Sequence, residues 1–138
     1  MTNICTGSSQ HVASIVDKGV IPLFINLLKS KSEDITDQAI WGLGNIAGES
    51  AEYRDLIIET HAIELLINVI SSTDSLDRIK PAVWALGNIC RTRPTPPTKD
   101  IINTLPIFIF IIEQYNEKDL LMDAIWSLQH LTDDMEDD

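Results

Sequence analysis

Apolar residues recur along this chain at the spacing of amphipathic helices. Between residues 35 and 46 one helical face collects Ile35, Ala39, Leu43 and Ile46, as a 3.6-residue period requires. Ser32 precedes this stretch as a candidate N-cap and is followed by two acidic residues. The same reasoning predicts further helices over about residues 9–17, 22–29, 51–59 and 63–70 and over the segment that carries Trp84.

An eight-residue motif returns at almost constant spacing. Residues 39–46 (AIWGLGNI) recur as residues 82–89 (AVWALGNI) and, more loosely, as residues 124–131 (AIWSLQHL). The tryptophans of successive copies are 43 and 42 residues apart, a period of the HEAT and armadillo class, in which each repeat buries its apolar face against its neighbours. We therefore expect an all-α fold, a right-handed superhelical solenoid of about three armadillo repeats plus a partial N-terminal repeat.

The register of the motif divides the chain into one domain at 1–134 and an acidic tail at 135–138. The partial repeat is expected at 1–7, and the complete repeats at about 8–48, 49–91 and 92–134. Three prolines within 94–97 predict an extended loop before Asp100 in place of the first helix of the last repeat. Leu105-Pro106 is expected to open its middle helix, although the apolar run at 107–112 alone resembles a strand. The acidic run 133–138 is expected to be solvated and frayed.

Composition limits the partners of this solenoid. The net charge of −11, from 10 basic and 21 acidic residues, argues against nucleic acid and favours a basic partner, because phosphate binding is supplied by cations. No apolar stretch approaches the ~20 residues that span a bilayer, and the N-terminus lacks the features of a secretory signal. Cys5 and Cys90 match no metal-binding spacing and are interpreted as small core residues of a soluble, intracellular protein.

Catalytic chemistry has no recognisable motif in this sequence. The three histidines are widely separated, and neither G-x-S-x-G nor H-E-x-x-H occurs. We therefore expect no enzyme activity, no metal and no cofactor.

The first two motif copies carry a tryptophan with an asparagine four residues later. Trp41 and Asn45, and likewise Trp84 and Asn88, share one helical face. An amide presents a donor and an acceptor to the backbone of an extended peptide, and an indole provides a wall and a π-face for Lys or Arg. Tryptophan at helical spacing is also typical of a core, and the residues leave both interpretations open.

Glycines precede both asparagines. Gly44 and Gly87 each cost a helix about 1 kcal/mol relative to alanine. Close approach of another backbone would explain them.

Several segments together resemble consecutive armadillo repeats of importin-α (karyopherin-α) over nearly the whole chain. They are residues 3–9 (NICTGSS), 41–50 (WGLGNIAGES), 53–56 (YRDL) and 84–91 (WALGNICR), with three prolines at 94–97. The resemblance implies truncated N-terminal cargo-binding repeats of a nuclear import adaptor, found in cytoplasm and nucleus, that recognises Lys/Arg-rich nuclear localisation signals. It implies these peptide-binding residues: Asn3, Gly7, Gln38, Trp41, Asn45, Glu49, Trp84, Asn88, Asp123 and Trp126.

The sequence departs from this family at identifiable positions. Glu49 stands where the family usually has Asp, Pro81 where it has a peptide-binding Asn, and His130 where it has Tyr. The tryptophan expected four residues before Asn3 is absent. The basic segment that binds importin-β is also absent, so importin-β is not an expected partner of the chain as given.

Two other interpretations remain open. The same groove serves an armadillo scaffold for an unrelated protein partner, or the chain is a truncated paralogue without transport activity. Uncapped repeat ends in a short array also predict self-association.

Overall fold

The described part of the chain, residues 9–136 of the computed structural model, is helical without any strand, which confirms the all-α prediction. Asn3, Cys5 and Gly7 lie outside the described residues. Within the described range the helices are α1 Ser9–Asp17, α2 Val20–Leu27, α3 Glu33–Glu49, α4 Ala51–Glu59, α5 Ala62–Ser71, α6 Leu76–Arg91, α7 Thr98–Ile101, α8 Leu105–Gln114 and α9 Lys118–Glu136, with a 3₁₀ turn at Ile102–Thr104 between α7 and α8.

The helices group into three-helix units whose longest members stack side by side. Helix α3 packs most extensively against α6, and α6 packs against α9. Helices α5 and α8 pack against the third helix of their own unit. This stacking confirms the armadillo solenoid, because each unit buries its apolar face on the next one.

A continuous core runs through the stack. Ile40 and Val83, one position before the first two tryptophans, are fully buried, as are Leu66 and Phe108 of the middle helices. Burying an aliphatic side chain of this kind contributes about 1.5–3 kcal/mol. The helical faces that carry these residues are thereby fixed toward the core, and the opposite side of each third helix is left for other contacts.

The turn between the first and second helix of a repeat explains why the start of α2 was predicted two residues too late. Helix α2 begins at Val20, two residues before the predicted start at Pro22. Gly19 directly before it has φ +82°, and His61 in the equivalent turn before α5 has φ +62°. A left-handed residue ends one helix and redirects the chain into the next, so the second helix starts at once.

The loop between α6 and α7, at the start of the last repeat, is shorter than predicted. It ends at Pro97, the N-cap of α7, and α7 begins at Thr98, two residues before Asp100. The prediction of an extended loop up to Asp100 is therefore wrong at its end, because a proline restricts only itself and the residues before it. The buried guanidinium of Arg54 donates hydrogen bonds to the carbonyl oxygens of Thr92 and Pro94, which holds this loop against α4.

Two further expectations concern the last repeat. Helix α8 begins at Leu105, so the opening of the middle helix at Leu105-Pro106 is confirmed and the apolar run is not a strand. Helix α9 continues to Glu136, so the expectation that the acidic run is frayed from residue 133 is wrong as far as Glu136. Residues 137–138 lie outside the described part of the chain.

Candidate peptide-binding groove

The three motif tryptophans occupy equivalent positions on the stacked third helices. Trp41 on α3 is 43% exposed and Trp126 on α9 is 55% exposed, whereas Trp84 on α6 is half-buried. Ile40 and Val83, which directly precede Trp41 and Trp84, are buried in the core. The exposure of Trp41 and Trp126 argues against the interpretation of these tryptophans as core residues.

Trp41 and Trp84 form one aromatic surface across the α3–α6 boundary. Their ring centroids are 4.9 Å apart and the ring planes are inclined by 45°, a favourable tilted pair. This separation leaves no slot for a side chain between the two rings. A ligand side chain therefore packs over the exposed faces and edges of the pair.

Gly44 makes room for this arrangement. A Cβ built on Gly44 would lie 2.3 Å from a carbon of the Trp84 indole, much closer than any real contact. The expectation that another backbone approaches Gly44 closely is therefore wrong, since the indole of Trp84 covers this glycine.

Gly87 has a similar explanation. A Cβ built there would lie 2.9 Å from both the Arg91 guanidinium and the Ser127 hydroxyl oxygen. The expectation that another backbone approaches Gly87 closely is also wrong, because side chains of the protein fill this space.

The two asparagines differ in how many of their hydrogen-bonding groups remain free. Asn45 is half-buried, and its side-chain amide makes no hydrogen bond with any residue that the structure describes. Asn88 donates from Nδ2 to the carbonyl oxygen of Gly44 at 3.0 Å, and its Oδ1 accepts from Arg91 Nη2 at 3.3 Å. With respect to the described residues, the amide of Asn45 thus keeps its full donor and acceptor capacity, whereas the amide of Asn88 keeps one N–H and one lone pair.

Arg91 is a residue of this surface that sequence reasoning missed. Its Cζ lies 5.7 Å from the ring centroid of Trp126, and its Nη1 lies 3.8 Å from Asp123 Oδ1. The spacing contained the signal, because Arg91 follows Trp84 by seven residues and Asn88 by three, which is the same helical stripe.

Asp123 is held in a partly desolvated environment. Its burial raises the pKa of its carboxyl group, and the Arg91 guanidinium offsets part of that rise.

In the repeat register Asp123 corresponds to Gln38 on α3 and to Pro81 on α6. Gln38 is exposed, whereas Pro81 is buried inside an uninterrupted α6, so the middle repeat offers no polar side chain at this position.

Glu49, the last of the predicted peptide-binding residues to be located, lies at the end of α3. Glu49 is exposed at the last residue of α3, one turn after Asn45. The structure thus brings Trp41, Trp84 and Asn88 together around Gly44, and it brings Trp126 and Asp123 together around Arg91.

Other kinds of site receive no support within the described residues. In that part of the chain no group of three or more His, Cys, Asp or Glu side chains is placed to hold a metal ion. Burial raises the pKa of the Cys90 thiol to about 11, so this core cysteine stays protonated at neutral pH. None of the helices from residue 9 to residue 136 is long and apolar enough to cross a bilayer.

Comparisons with known proteins agree with this architecture. The model of the Armadillo/beta-catenin-like repeat matches residues 8–48 and 50–91. Importin subunit alpha-2 of Arabidopsis thaliana is 36% identical over 137 residues, which are 99% of this chain and 25% of the relative. Importin subunit alpha-1b of Oryza sativa subsp. japonica is 35% identical over 137 residues, 99% of this chain and 26% of the relative. The chain therefore spans about a quarter of the length of these curated relatives.

The solved structures include a close geometric match. A designed armadillo repeat protein in complex with the peptide (KR)4 superposes with a TM-score of 0.83 at 25% identity, covering 94% of this chain and 54% of that one. The family model covers more than half of the residues, and the stacked three-helix units have the matching architecture. This chain therefore belongs to the Armadillo/beta-catenin-like repeat family.

Proposed function

We propose that this chain binds nuclear localisation signals, which are extended Lys/Arg-rich peptides, as an importin-α-like nuclear import adaptor or as a fragment of one. The observation that carries the proposal is the Trp41–Trp84 pair, exposed at Trp41, on the same helical face as the Asn45 amide, which bonds to no residue that the structure describes. Cytoplasm and nucleus are the compartments that this function requires.

The chemistry of this surface suits a cationic extended chain. An asparagine amide bound to a peptide group contributes about 0.5–1.5 kcal/mol net, and a cation over an indole contributes about 0.5–2 kcal/mol. The net charge of −11 attracts a basic peptide and speeds its association. Stacked helices about 8–10 Å apart and a peptide rise of about 3.3 Å per residue give roughly five or six peptide residues over the three tryptophans.

The similarities support the same ligand class. The relatives named importin subunit alpha match nearly the whole length of this chain. The designed protein that superposes on it was solved with a peptide of alternating Lys and Arg.

Isothermal titration calorimetry with a short lysine-rich signal peptide tests the proposal. We expect the peptide to bind, and a version with its central lysine changed to threonine to bind about tenfold more weakly, which corresponds to about 1.4 kcal/mol. The Trp41→Ala variant should lose affinity by a similar factor. Leu23→Ala is the matched control, because Leu23 is also exposed, at 54%, but lies on α2. Equal binding of the two peptides, or no binding of either, would overturn the proposal.

The second candidate function is an armadillo scaffold that binds an unrelated protein partner. The observation that favours it is the engagement of Asn88 and Trp126 by Arg91, which leaves fewer groups for a basic ligand. Affinity capture separates the candidates, since enrichment of basic cargo and transport factors is expected only for an import adaptor.

A further inference from the structure

We infer that His130 determines the hydrogen-bond polarity of the third step of the groove, defined here as the surface that Trp126 and His130 form on α9. The imidazole of His130 accepts a hydrogen bond from a main-chain N–H group of a bound peptide and offers no donor in return. The inference rests on the proposed function and specifies how one part of the same groove holds its ligand.

His130 occupies the asparagine position of the third motif copy. It follows Trp126 by four residues, and the earlier copies have Asn45 and Asn88 at this position. Residues four apart lie on one helical face, so the imidazole stands beside the indole of Trp126, which is 55% exposed. His130 is half-buried, as both asparagines are. A ligand that passes over Trp126 therefore meets an imidazole where the earlier repeats present an amide.

A contact within α9 indicates which ring nitrogen carries the proton. Nδ1 of His130 lies 2.9 Å from the main-chain carbonyl oxygen of Trp126. A carbonyl oxygen only accepts, so Nδ1 is the donor, and in the neutral imidazole Nε2 then has a lone pair and no proton. Nε2 forms no hydrogen bond with a residue that the structure describes, so with respect to these residues its lone pair is available to a ligand.

The bond to Trp126 also sets the orientation of the ring. Nδ1 is the nitrogen nearer the main chain, and it is held against the backbone of α9. The edge of the ring that carries Nε2 is consequently directed away from this backbone. Asn88 differs, because its Nδ2 donates across the repeat boundary to the carbonyl oxygen of Gly44 at 3.0 Å. His130 uses its donor inside α9 and keeps its acceptor for the groove.

An acceptor alone recognises only half of a peptide group. An asparagine amide bonds to both the N–H and the C=O of an extended chain, whereas Nε2 of His130 bonds only to the N–H. A peptide carbonyl placed against Nε2 would lose its hydrogen bond to water and gain none, which is unfavourable. The third step therefore favours the peptide register that brings an N–H group to His130.

The first measurement uses the unaltered protein and tests the proton assignment. At about pH 8 an imidazole is neutral, and a long-range proton–nitrogen NMR spectrum distinguishes its protonated nitrogen from the bare one. We expect His130 to carry its proton on Nδ1, and the resonance of Nε2 to shift when the lysine-rich signal peptide binds. A proton on Nε2, or an unshifted Nε2 resonance at saturating peptide, overturns the inference.

The second measurement locates the donor on the peptide. The signal peptide is extended by three alanines at each end, so that it reaches α9 in either chain direction. In a series of variants one main-chain N–H at a time is replaced by an ester oxygen, which removes the donor and keeps the shape of the linkage. Calorimetry at about pH 8 then gives the loss of affinity at each position.

At one position the wild-type protein should lose about five- to tenfold in affinity, and His130→Leu should lose less than about twofold there. His130→Asn restores an acceptor and adds a donor, so it should keep this loss and bind the unmodified peptide at least as tightly as the wild type. His11→Leu is the matched control, because it removes an exposed histidine on α1. It should leave every loss within about twofold of the wild-type value.

Losses that are the same in the wild type and in His130→Leu at every position, with the signal peptide still bound, overturn this inference and leave the proposed function intact. Absence of binding by the signal peptide itself overturns both. The NMR measurement on the wild-type protein is independent of the stability of the variants, so it decides the proton assignment even where a variant fails to fold.

Discussion

The indole of Trp84 lies directly on the backbone of Gly44 in the neighbouring helix, so closely that a Cβ on Gly44 would be 2.3 Å from the ring. The carbonyl oxygen of the same glycine accepts the hydrogen bond of Asn88 at 3.0 Å. Gly44 thus positions both the aromatic and the amide member of the second Trp/Asn pair.

Gly44→Ala should displace Trp84 and lower the free energy of unfolding by about 1–3 kcal/mol, the usual cost of overpacking, although alanine alone favours a helix by about 1 kcal/mol. Urea denaturation measures this change, and peptide affinity should fall with it. The control is the same substitution made in Trp84→Ala. Without the ring, Gly44→Ala should be neutral or stabilising, and an equal loss in both backgrounds would contradict the packing explanation.

The two asparagines should separate binding from stability. Asn45→Ala removes an amide that bonds to no described residue, so the free energy of unfolding should change by less than about 0.5 kcal/mol while peptide affinity falls. Asn88→Ala removes the bond to Gly44 and should cost about 1 kcal/mol of stability as well as affinity. Paired calorimetry and urea denaturation of both variants provide the check. Equal losses of stability would contradict the assigned difference.

The repeat made the architecture predictable. Copies of one motif 43 and 42 residues apart determine which residues share a position, and helical periodicity determines which of them face the core. Helix α8 illustrates the strength of this register. Its apolar run at 107–112 alone resembles a strand, but its position in the repeat predicts a helix, and the structure has one.

The contacts between repeats were less accessible to sequence reasoning. Periodicity placed Trp84 and Asn88 on one face, but it gave no information on the distance to Gly44 in the next helix. Sequence reasoning therefore attributes the glycines to the close approach of another backbone, whereas the indole of Trp84 and the side chains of Arg91 and Ser127 cover them. Arg91 was missed because its importance depends on the position of α9, although its stripe was visible in the spacing.

Acid should weaken the start of α9 through Glu117. Its carboxylate accepts a hydrogen bond from the backbone N–H of Leu120 at 3.0 Å and pairs with Lys80 at 3.0 Å. These contacts, the backbone hydrogen bond foremost, lower the pKa of Glu117 below its ordinary value of 4.5. A lowered folded-state pKa means that the unfolded chain binds the proton more tightly, so the stabilisation is complete above pH 4.5 and is lost as the pH falls through the folded-state pKa.

Glu117→Gln should therefore lower the melting temperature at pH 7, and the difference from wild type should shrink as the pH falls below about 4.5, the ordinary glutamate pKa. Thermal unfolding followed by circular dichroism across this range measures the effect. Glu113→Gln, at an exposed position on α8, controls for the general effect of removing a carboxylate. A pH-independent difference at Glu117 would contradict the role of its charge.

The ends of the stack expose positions that are buried within it. Ile125 is 52% exposed, whereas its equivalents Ile40 and Val83 are fully buried. At the other end Leu23 is 54% exposed, whereas its equivalent Phe108 in the last repeat is fully buried. The two exposed faces are those that successive repeats press together, so head-to-tail association of this chain buries both.

Ile125→Glu should abolish this association without unfolding the protein, because the substitution places a charge in the new interface and leaves the existing core unchanged. Sedimentation velocity at rising protein concentration should show larger species for the wild-type chain and a monomer for Ile125→Glu. Ile35→Glu adds the same charge at a residue that is 44% exposed near the start of α3, and it should associate like the wild type. A wild-type chain that stays monomeric, or an equal effect of the two substitutions, would show that the exposed end of α9 does not drive self-association.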